Sequence, residues 1–326
     1  PNPFLNTSTS NSTLTNAHRL KTARDLVATL RRFGFVNITG HGLTKDETAD
    51  MFSWSRKLFD LPVEEKMKAP HPDGPMPHRG YSGIGKEKVY ARGEKGEGAR
   101  EMKESYEIGS QHDDQQQNIW LPNDVLPGFQ PYMSSLYERL AAIGDIILDA
   151  IGVGLSLDSE EHAALMQMAS KQHSQLRLLH YPAISREEMQ RGGILRLTPH
   201  TDWGTFTFLF QDHSNDLELQ DPETKQLLRV SPPEDALTLN VSDMLQRFTN
   251  GYFTSALHRV SLPSADNAVN SGVPPRYSIP FFIAPRPSHL VQVLPRFVSA
   301  DKPVKYEPVK FEDYGALAAK YMYREE

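Results

Sequence analysis

Apolar positions fall into two regimes along the chain. Between Asn16 and Arg32, Leu20, Ala23, Val27 and Leu30 recur at helical spacing, and Gly34 is the expected stop. Phe35 to Thr39 alternates as a strand does and ends at Gly40. Thr44 followed by Glu47 has the form of a capping box, opening a second helix that runs to Phe59. A third helix is expected over 131–151, where Met133, Leu136, Leu140, Ile143 and Ile147 make an apolar stripe read as core. Met102–Ile108 is a short strand candidate. After Lys171 short alternating runs take over: 176–181, 194–197, 205–210, 217–219, 227–230, 236–241, 253–260 and 277–283. Eight short strands separated by turn residues predict an antiparallel sandwich or barrel. Helices first and sheet afterwards predict an α+β, mainly β, fold: residues 1–170 form a helical and mixed region packing on a core of residues 171–326, as one compact unit.

Two segments interrupt this pattern. Pro1 to Thr15, rich in Ser, Thr and Asn, reads as a loop or arm. Residues 69–100 carry Pro70, Pro72, Pro75, Pro77 and seven glycines, a long irregular connection that could be a lid or an inert solvated loop.

Composition narrows the chemistry. The 326 residues hold 35 Lys and Arg against 41 Asp and Glu, a net charge of −6, which argues against a nucleic-acid partner. No run reaches the ~18 uncharged apolar residues of a membrane span, and the start shows no signal-peptide pattern. Absence of cysteine excludes disulfides, thiolate metal sites and cysteine nucleophiles, and fits a cytoplasmic protein. Any metal is left to His, Asp and Glu.

Among twelve histidines, His200 stands out in Thr198-Pro199-His200-Thr201-Asp202-Trp203-Gly204. On an extended backbone His200 and Asp202 leave the same face and can grip adjacent positions on one metal ion. Alone, the pair reads more readily as a structural His–Asp hydrogen bond than as a metal grip. His258 follows 56 residues after Asp202, in another extended run, and completes two imidazoles and one carboxylate. Such a facial triad leaves three coordination places open and is the arrangement of non-haem Fe(II) oxygenases; a closed structural zinc site would want four protein ligands. Eighteen residues further, Arg276 and Ser278 share a strand face, a guanidinium and a hydroxyl suited to a carboxylate.

These residues resemble the isopenicillin N synthase-like family of Fe(II)/2-oxoglutarate-dependent dioxygenases over nearly the whole chain. His200 to Asp212 resembles the signature H-T-D-x-G-x-L-T-x-L-x-Q-D. Asn240 to Asp243, and Thr249-Asn250-Gly251 up to His258-Arg259-Val260, are similar to N-x-G-D and N-G-x-x-x-S-x-x-H-R-V. Gly34 to Gly42 resembles G-F-x-x-x-x-x-H-G, and Arg276-x-Ser278 matches the family's R-x-S. The resemblance implies a double-stranded β-helix (jelly roll), Fe(II) on His200, Asp202 and His258, and 2-oxoglutarate on Arg276 and Ser278. It implies O₂-dependent oxidation of a small organic substrate, with release of succinate and CO₂ and no catalytic side chain beyond the metal ligands. The outcome could be hydroxylation, desaturation or a ring-forming or rearranging oxidation. Tyr181 matches the second tyrosine of N-Y-Y-P, a further co-substrate contact; Leu179 and His180 replace the first two residues, and His180 is expected to pack or to stand behind the ligands. Asn240 and Asp243 are expected as supporting or capping groups. Trp203, Phe206 and Phe282 either line the substrate pocket or fill the barrel. Two alternatives stay open: an Fe(II) oxidase of the isopenicillin N synthase type, which needs no 2-oxoglutarate, and a non-catalytic jelly-roll binding protein.

Overall fold

The computed structural model describes residues 12–73, 78–86, 100–191, 194–212, 214, 216–231, 233, 235–262 and 272–322. In chain order these form α1 (Ser12–Phe33), β1 (Phe35–Ile38), α2 (Lys45–Phe59), α3 (Val63–Lys66), β2 (Gly80–Ser82), β3 (Arg100–Glu101), β4 (Glu104–Ile108), α4 (Phe129–Gly154) and α5 (Ser159–Met166). Then follow β5 (Gln175–Tyr181), α6 (Arg186–Arg191), β6 (Ile194–Leu195), β7 (Leu197–His200), β8 (Phe206–Gln211), β9 (Leu217–Gln220), β10 (Leu227–Arg229) and β11 (Leu237–Val241). The chain closes with α7 (Asp243–Phe248), β12 (His258–Val260), β13 (Arg276–Ile283), β14 (Leu290–Val291), β15 (Val309–Lys310) and α8 (Phe311–Met322).

A seven-stranded antiparallel sheet, β1-β11-β8-β13-β5-β4-β2, faces a four-stranded one, β10-β9-β12-β7, across a cavity, which is the jelly-roll arrangement. Period-two alternation decides which side chains go where. On β8 the rings of Phe206, Phe208 and Phe210 enter the main core, while Thr207 and Leu209 line the cavity. On β13 Tyr277, Ile279, Phe281 and Ile283 go to the core, and Arg276, Ser278, Pro280 and Phe282 to the cavity. The core lies between the outer face of the large sheet and α1, α2 and α4, whose stripe Met133, Leu136, Leu140, Ile143 and Ile147 is buried. Each such side chain contributes about 1.5–3 kcal/mol by leaving water.

Local signals in the sequence place several boundaries. The Thr44–Glu47 capping box forms with both reciprocal hydrogen bonds. Gly34 ends α1 at φ +70°, and a Cβ there would stand 2.4 Å from the carbonyl oxygen of Thr254. Gly34→Ala is therefore expected to cost at least about 2 kcal/mol, from a strained backbone plus a backbone clash, read as a lower denaturation midpoint. A cost below 0.5 kcal/mol, on the order expected of a surface substitution, would contradict it.

Three expectations change. Helix α1 begins at Ser12, so Ser12–Thr15 are helical and not part of an arm; residues 1–11 lie outside the described residues. Of the run 253–260 only His258–Val260 is strand, because the Asn250-Gly251 turn (φ +51° and +77°) reorients the chain and Ser255 N–H donates to the Gln246 side chain. The residues before 171 do more than pack on the sheet: they supply β1, β2 and β4 of its seven strands. Much of the proposed lid, residues 74–77 and 87–99, lies outside the described residues.

Candidate active site

The cavity between the sheets has a volume of about 350 Å³. Strands β7 and β12 pair His200 directly opposite His258, and their rings lie 4.3 Å apart between centroids. Asp202 follows in the turn after β7, where its main-chain oxygen accepts from Asp243 N–H at the start of α7 (2.8 Å). Gly204 lets that turn press on β13: a Cβ would meet the carbonyl oxygen of Ile283 at 2.3 Å.

The three side chains converge. Nε2 of His200 and Nε2 of His258 each stand 3.8 Å from Asp202 Oδ1, and one ligand atom from each residue falls within 4.8 Å of the others. The far nitrogens are committed elsewhere. His200 Nδ1 meets the Thr198 carbonyl at 2.9 Å and His258 Nδ1 the Ala256 carbonyl at 3.1 Å. A carbonyl only accepts, so Nδ1 carries the proton and the Nε2 lone pairs face the common centre. Burial, reinforced by His258, holds the His200 imidazole neutral, its pKa well below the usual histidine range. Asp202 uses Oδ2 to accept from Thr207 Oγ1 and from Asn240 Nδ2, both at 2.6 Å, which leaves Oδ1 for the centre. Burial opposes ionisation of Asp202, but His258, His200 and those two donors outweigh it and set its pKa below the usual range. Two imidazoles and one carboxylate with open space beside them suit Fe(II).

At one end of the cavity lies Arg276, 1% exposed, its Nη1 donating to Ser278 Oγ (3.0 Å) and its Nη2 to Gln211 Oε1 (3.3 Å). Tyr181 is paired with it across β5 and β13, and the guanidinium sits 5.0 Å over the Tyr181 ring. Arg276 makes no ion pair with any described carboxylate. Its Nε and the Gln211 Nε2 are buried without hydrogen-bond partners. A buried guanidinium held only by neutral groups fits an anionic ligand, and a carboxylate matches its fork.

The remaining expected residues separate. Trp203 and Phe282 line the cavity. Phe206 does not; fully buried, it packs with Phe208 on the opposite face of β8, so it belongs to the core. His180 also points away, bonding Glu104 Oε1 through Nδ1 (2.7 Å) and stacking on Tyr277. Asn240 and Asp243 both support the turn that carries Asp202. Sequence reasoning missed Thr207, and it missed Glu101, which accepts from Thr198 N–H and Oγ1 and pairs with Lys103 (3.0 Å), steadying the carbonyl that orients His200.

Comparison with known proteins settles the family. A family described as the 2OG-Fe(II) oxygenase superfamily matches residues 172–285, and one described as non-haem dioxygenase in morphine synthesis N-terminal matches residues 4–127. A 2-oxoglutarate-dependent dioxygenase of Dothideomycetidae sp. (strain 11243) is 37% identical over 291 residues, 86% of this chain and 85% of that protein. The chain belongs to the 2OG-Fe(II) oxygenase superfamily. This oxygenase is also 38% identical to a proline hydroxylase of Petromyces alliaceus, over 86% of each chain. Its fold matches Neurospora crassa T7H, crystallised in complex with alpha-KG, with a TM-score of 0.83 and 30% identity, over 97% of this chain and 93% of that one. The oxygenase is thus an Fe(II)- and 2-oxoglutarate-dependent dioxygenase acting on a small molecule. No helix among the described residues is long and apolar enough to cross a membrane.

Proposed function

We propose that His200, Asp202 and His258 hold the Fe(II) of this oxygenase, that Arg276 and Ser278 receive the far carboxylate of 2-oxoglutarate beside Tyr181, and that Trp203 and Phe282 face the substrate. The observation that carries this reading is the convergence of two Nε2 lone pairs and Asp202 Oδ1 on one centre. Iron with 2-oxoglutarate and O₂ supplies oxidation of a C–H bond coupled to loss of CO₂ and formation of succinate. The protein supplies placement. Thr198 and Ala256 fix the direction of the two imidazole rings, and Thr207 and Asn240 hold Asp202 in one rotamer. The second sheet covers the site and limits water.

That Arg276 has no ion pair with any described carboxylate favours a 2-oxoglutarate-dependent reaction over the oxidase alternative. Among the oxidative outcomes, the proline hydroxylase relative supports hydroxylation. The absence of cysteine supports a cytoplasmic setting. Anaerobic addition of Fe(II) and then 2-oxoglutarate tests the site: a charge-transfer absorption band is expected, followed by succinate release when air is admitted with substrate. No band at saturating concentrations would refute it. Asn240→Ala removes one of the two donors to Asp202 Oδ2, and Fe(II) affinity is expected to fall about tenfold or more. An unchanged Fe(II) titration would show that Asn240 does not steady the ligand.

A further inference from the structure

The cavity has a second polar pole, across the sheet from the Asp202 support. Phe282 on β13 pairs with Thr207 on one side and with Gln175 on the other, so these three form a row across three strands. Two strand spacings, about 10 Å, separate Thr207, which holds Asp202, from Gln175. Next along β5 on the same face is Arg177, its guanidinium 5.7 Å from the Phe282 ring centroid. Behind them stands Glu107, which is fully buried, lies opposite Arg177 across β4 and β5, forms an ion pair with the Arg177 guanidinium and accepts from the Gln175 amide. Gln175, Arg177 and Phe282 line the cavity, whereas Glu107 does not. The cation therefore forms the wall and its counter-charge lies outside.

A buried ion pair is no better for stability than well-packed apolar side chains, so its place in a cavity wall calls for a recognition role. Arg276 lies elsewhere on the same face: it pairs with Tyr181, four residues or about 13 Å along β5 from Arg177. The two arginines thus serve separate ligands. Resting on the active-site reading above, we propose that Arg177 and Gln175 receive a carboxylate of the substrate, whose carbon skeleton crosses the Phe282 ring to present its reacting C–H to the His200–Asp202–His258 centre. A single carboxylate suits this pole better than a phosphate ester, because Glu107 beside Arg177 and Asp113 beside the neighbouring Arg79 (2.6 Å) would repel the second charge.

Calorimetry on the anaerobic protein loaded with Fe(II) and 2-oxoglutarate tests this, using as probes the free L-amino acids, the straight-chain C3 to C6 carboxylic acids, and the primary carboxamide of each. At least one acid is expected to bind, with its amide about 30-fold weaker or more, in line with loss of a charge-assisted pair. Arg177→Gln should shrink that acid–amide difference to a few-fold. Because this variant strands Glu107, Arg177→Gln/Glu107→Gln is measured beside it and should show the same shrinkage. Amides that bind as well as acids, an acid–amide difference that survives both variants, or no binding by any acid would overturn the proposal. Normal 2-oxoglutarate binding in the same titrations would show that the error lies in this pole and not in the active site as a whole.

Discussion

Replacing Asp202 or His258 with alanine is expected to abolish succinate formation and to weaken Fe(II) binding beyond the tenfold expected of Asn240→Ala. Both effects follow from the geometry. Each substitution takes one of three atoms from a centre that has no other described donor of the same kind. Two remaining ligands cannot define one face of an octahedron, so the metal is held loosely and its open places are no longer directed at the substrate. Asp202→Ala carries a further cost. Thr207 Oγ1 and Asn240 Nδ2 lose the acceptor they share, and each buried donor left unpaired costs roughly 1–3 kcal/mol. Asp202→Asn separates the two effects, because it keeps an acceptor oxygen for those donors while removing the charge that neutralises the metal. The expected order is therefore near-native folding for Asp202→Asn, lower stability for Asp202→Ala, and no turnover in either. Near-normal activity in Asp202→Ala or His258→Ala would refute the ligand assignment.

Arg276→Leu is expected to raise the 2-oxoglutarate KM about 100-fold while leaving the folded protein no less stable. The first effect is the loss of two charge-assisted hydrogen bonds to a carboxylate, worth about 1.5–3 kcal/mol each before the neighbouring Ser278 and Tyr181 compensate in part. The second has the opposite sign from most substitutions of a buried residue. Without co-substrate, Arg276 is a buried cation supported by one hydroxyl and one amide, with its Nε unsatisfied. Leucine fills much of the same volume and removes that desolvation cost. Steady-state kinetics across 2-oxoglutarate concentrations reads the first effect, and denaturation of the metal-free protein reads the second. An unchanged KM would reassign Arg276 to a structural role; a large drop in stability would mean that it braces the sheet.

Several features were legible because they depend on neighbours in the chain. The capping box at Thr44 and Glu47, the stop at Gly34 and the buried stripe of α4 each involve residues within a few positions of one another. The His200-x-Asp202 pair belongs to the same class, since strand geometry alone puts alternate side chains on one face. Phe206 shows where such reading was incomplete. In Phe206-Thr207-Phe208-Leu209-Phe210-Gln211 the three rings share one face, and the polar Thr207 and Gln211 mark the other. That alternation, applied to β8, would have put Phe206 in the core and drawn Thr207 to the site. The helices α5 and α8 also escaped notice, although Asp158 and Glu161 form a capping box as regular as the one at Thr44.

The chain by itself determined the two regimes of hydrophobic spacing, the exclusion of thiol chemistry, and the pair of neighbouring donors at 200 and 202. The tertiary structure alone decided what those donors can do. Asn240 reaches Asp202 across 38 residues and Glu101 reaches Thr198 across 97, so the orientation of the Asp202 and His200 side chains depends on strand pairing that no local pattern encodes. Likewise an arginine in a sequence is only a charge. Whether it is paired with a carboxylate, as Arg177 is, or kept among neutral groups, as Arg276 is, depends on which strands lie beside it. Side-chain chemistry is a property of residues, whereas the desolvation and neighbouring charge that direct it exist only once distant segments have packed together.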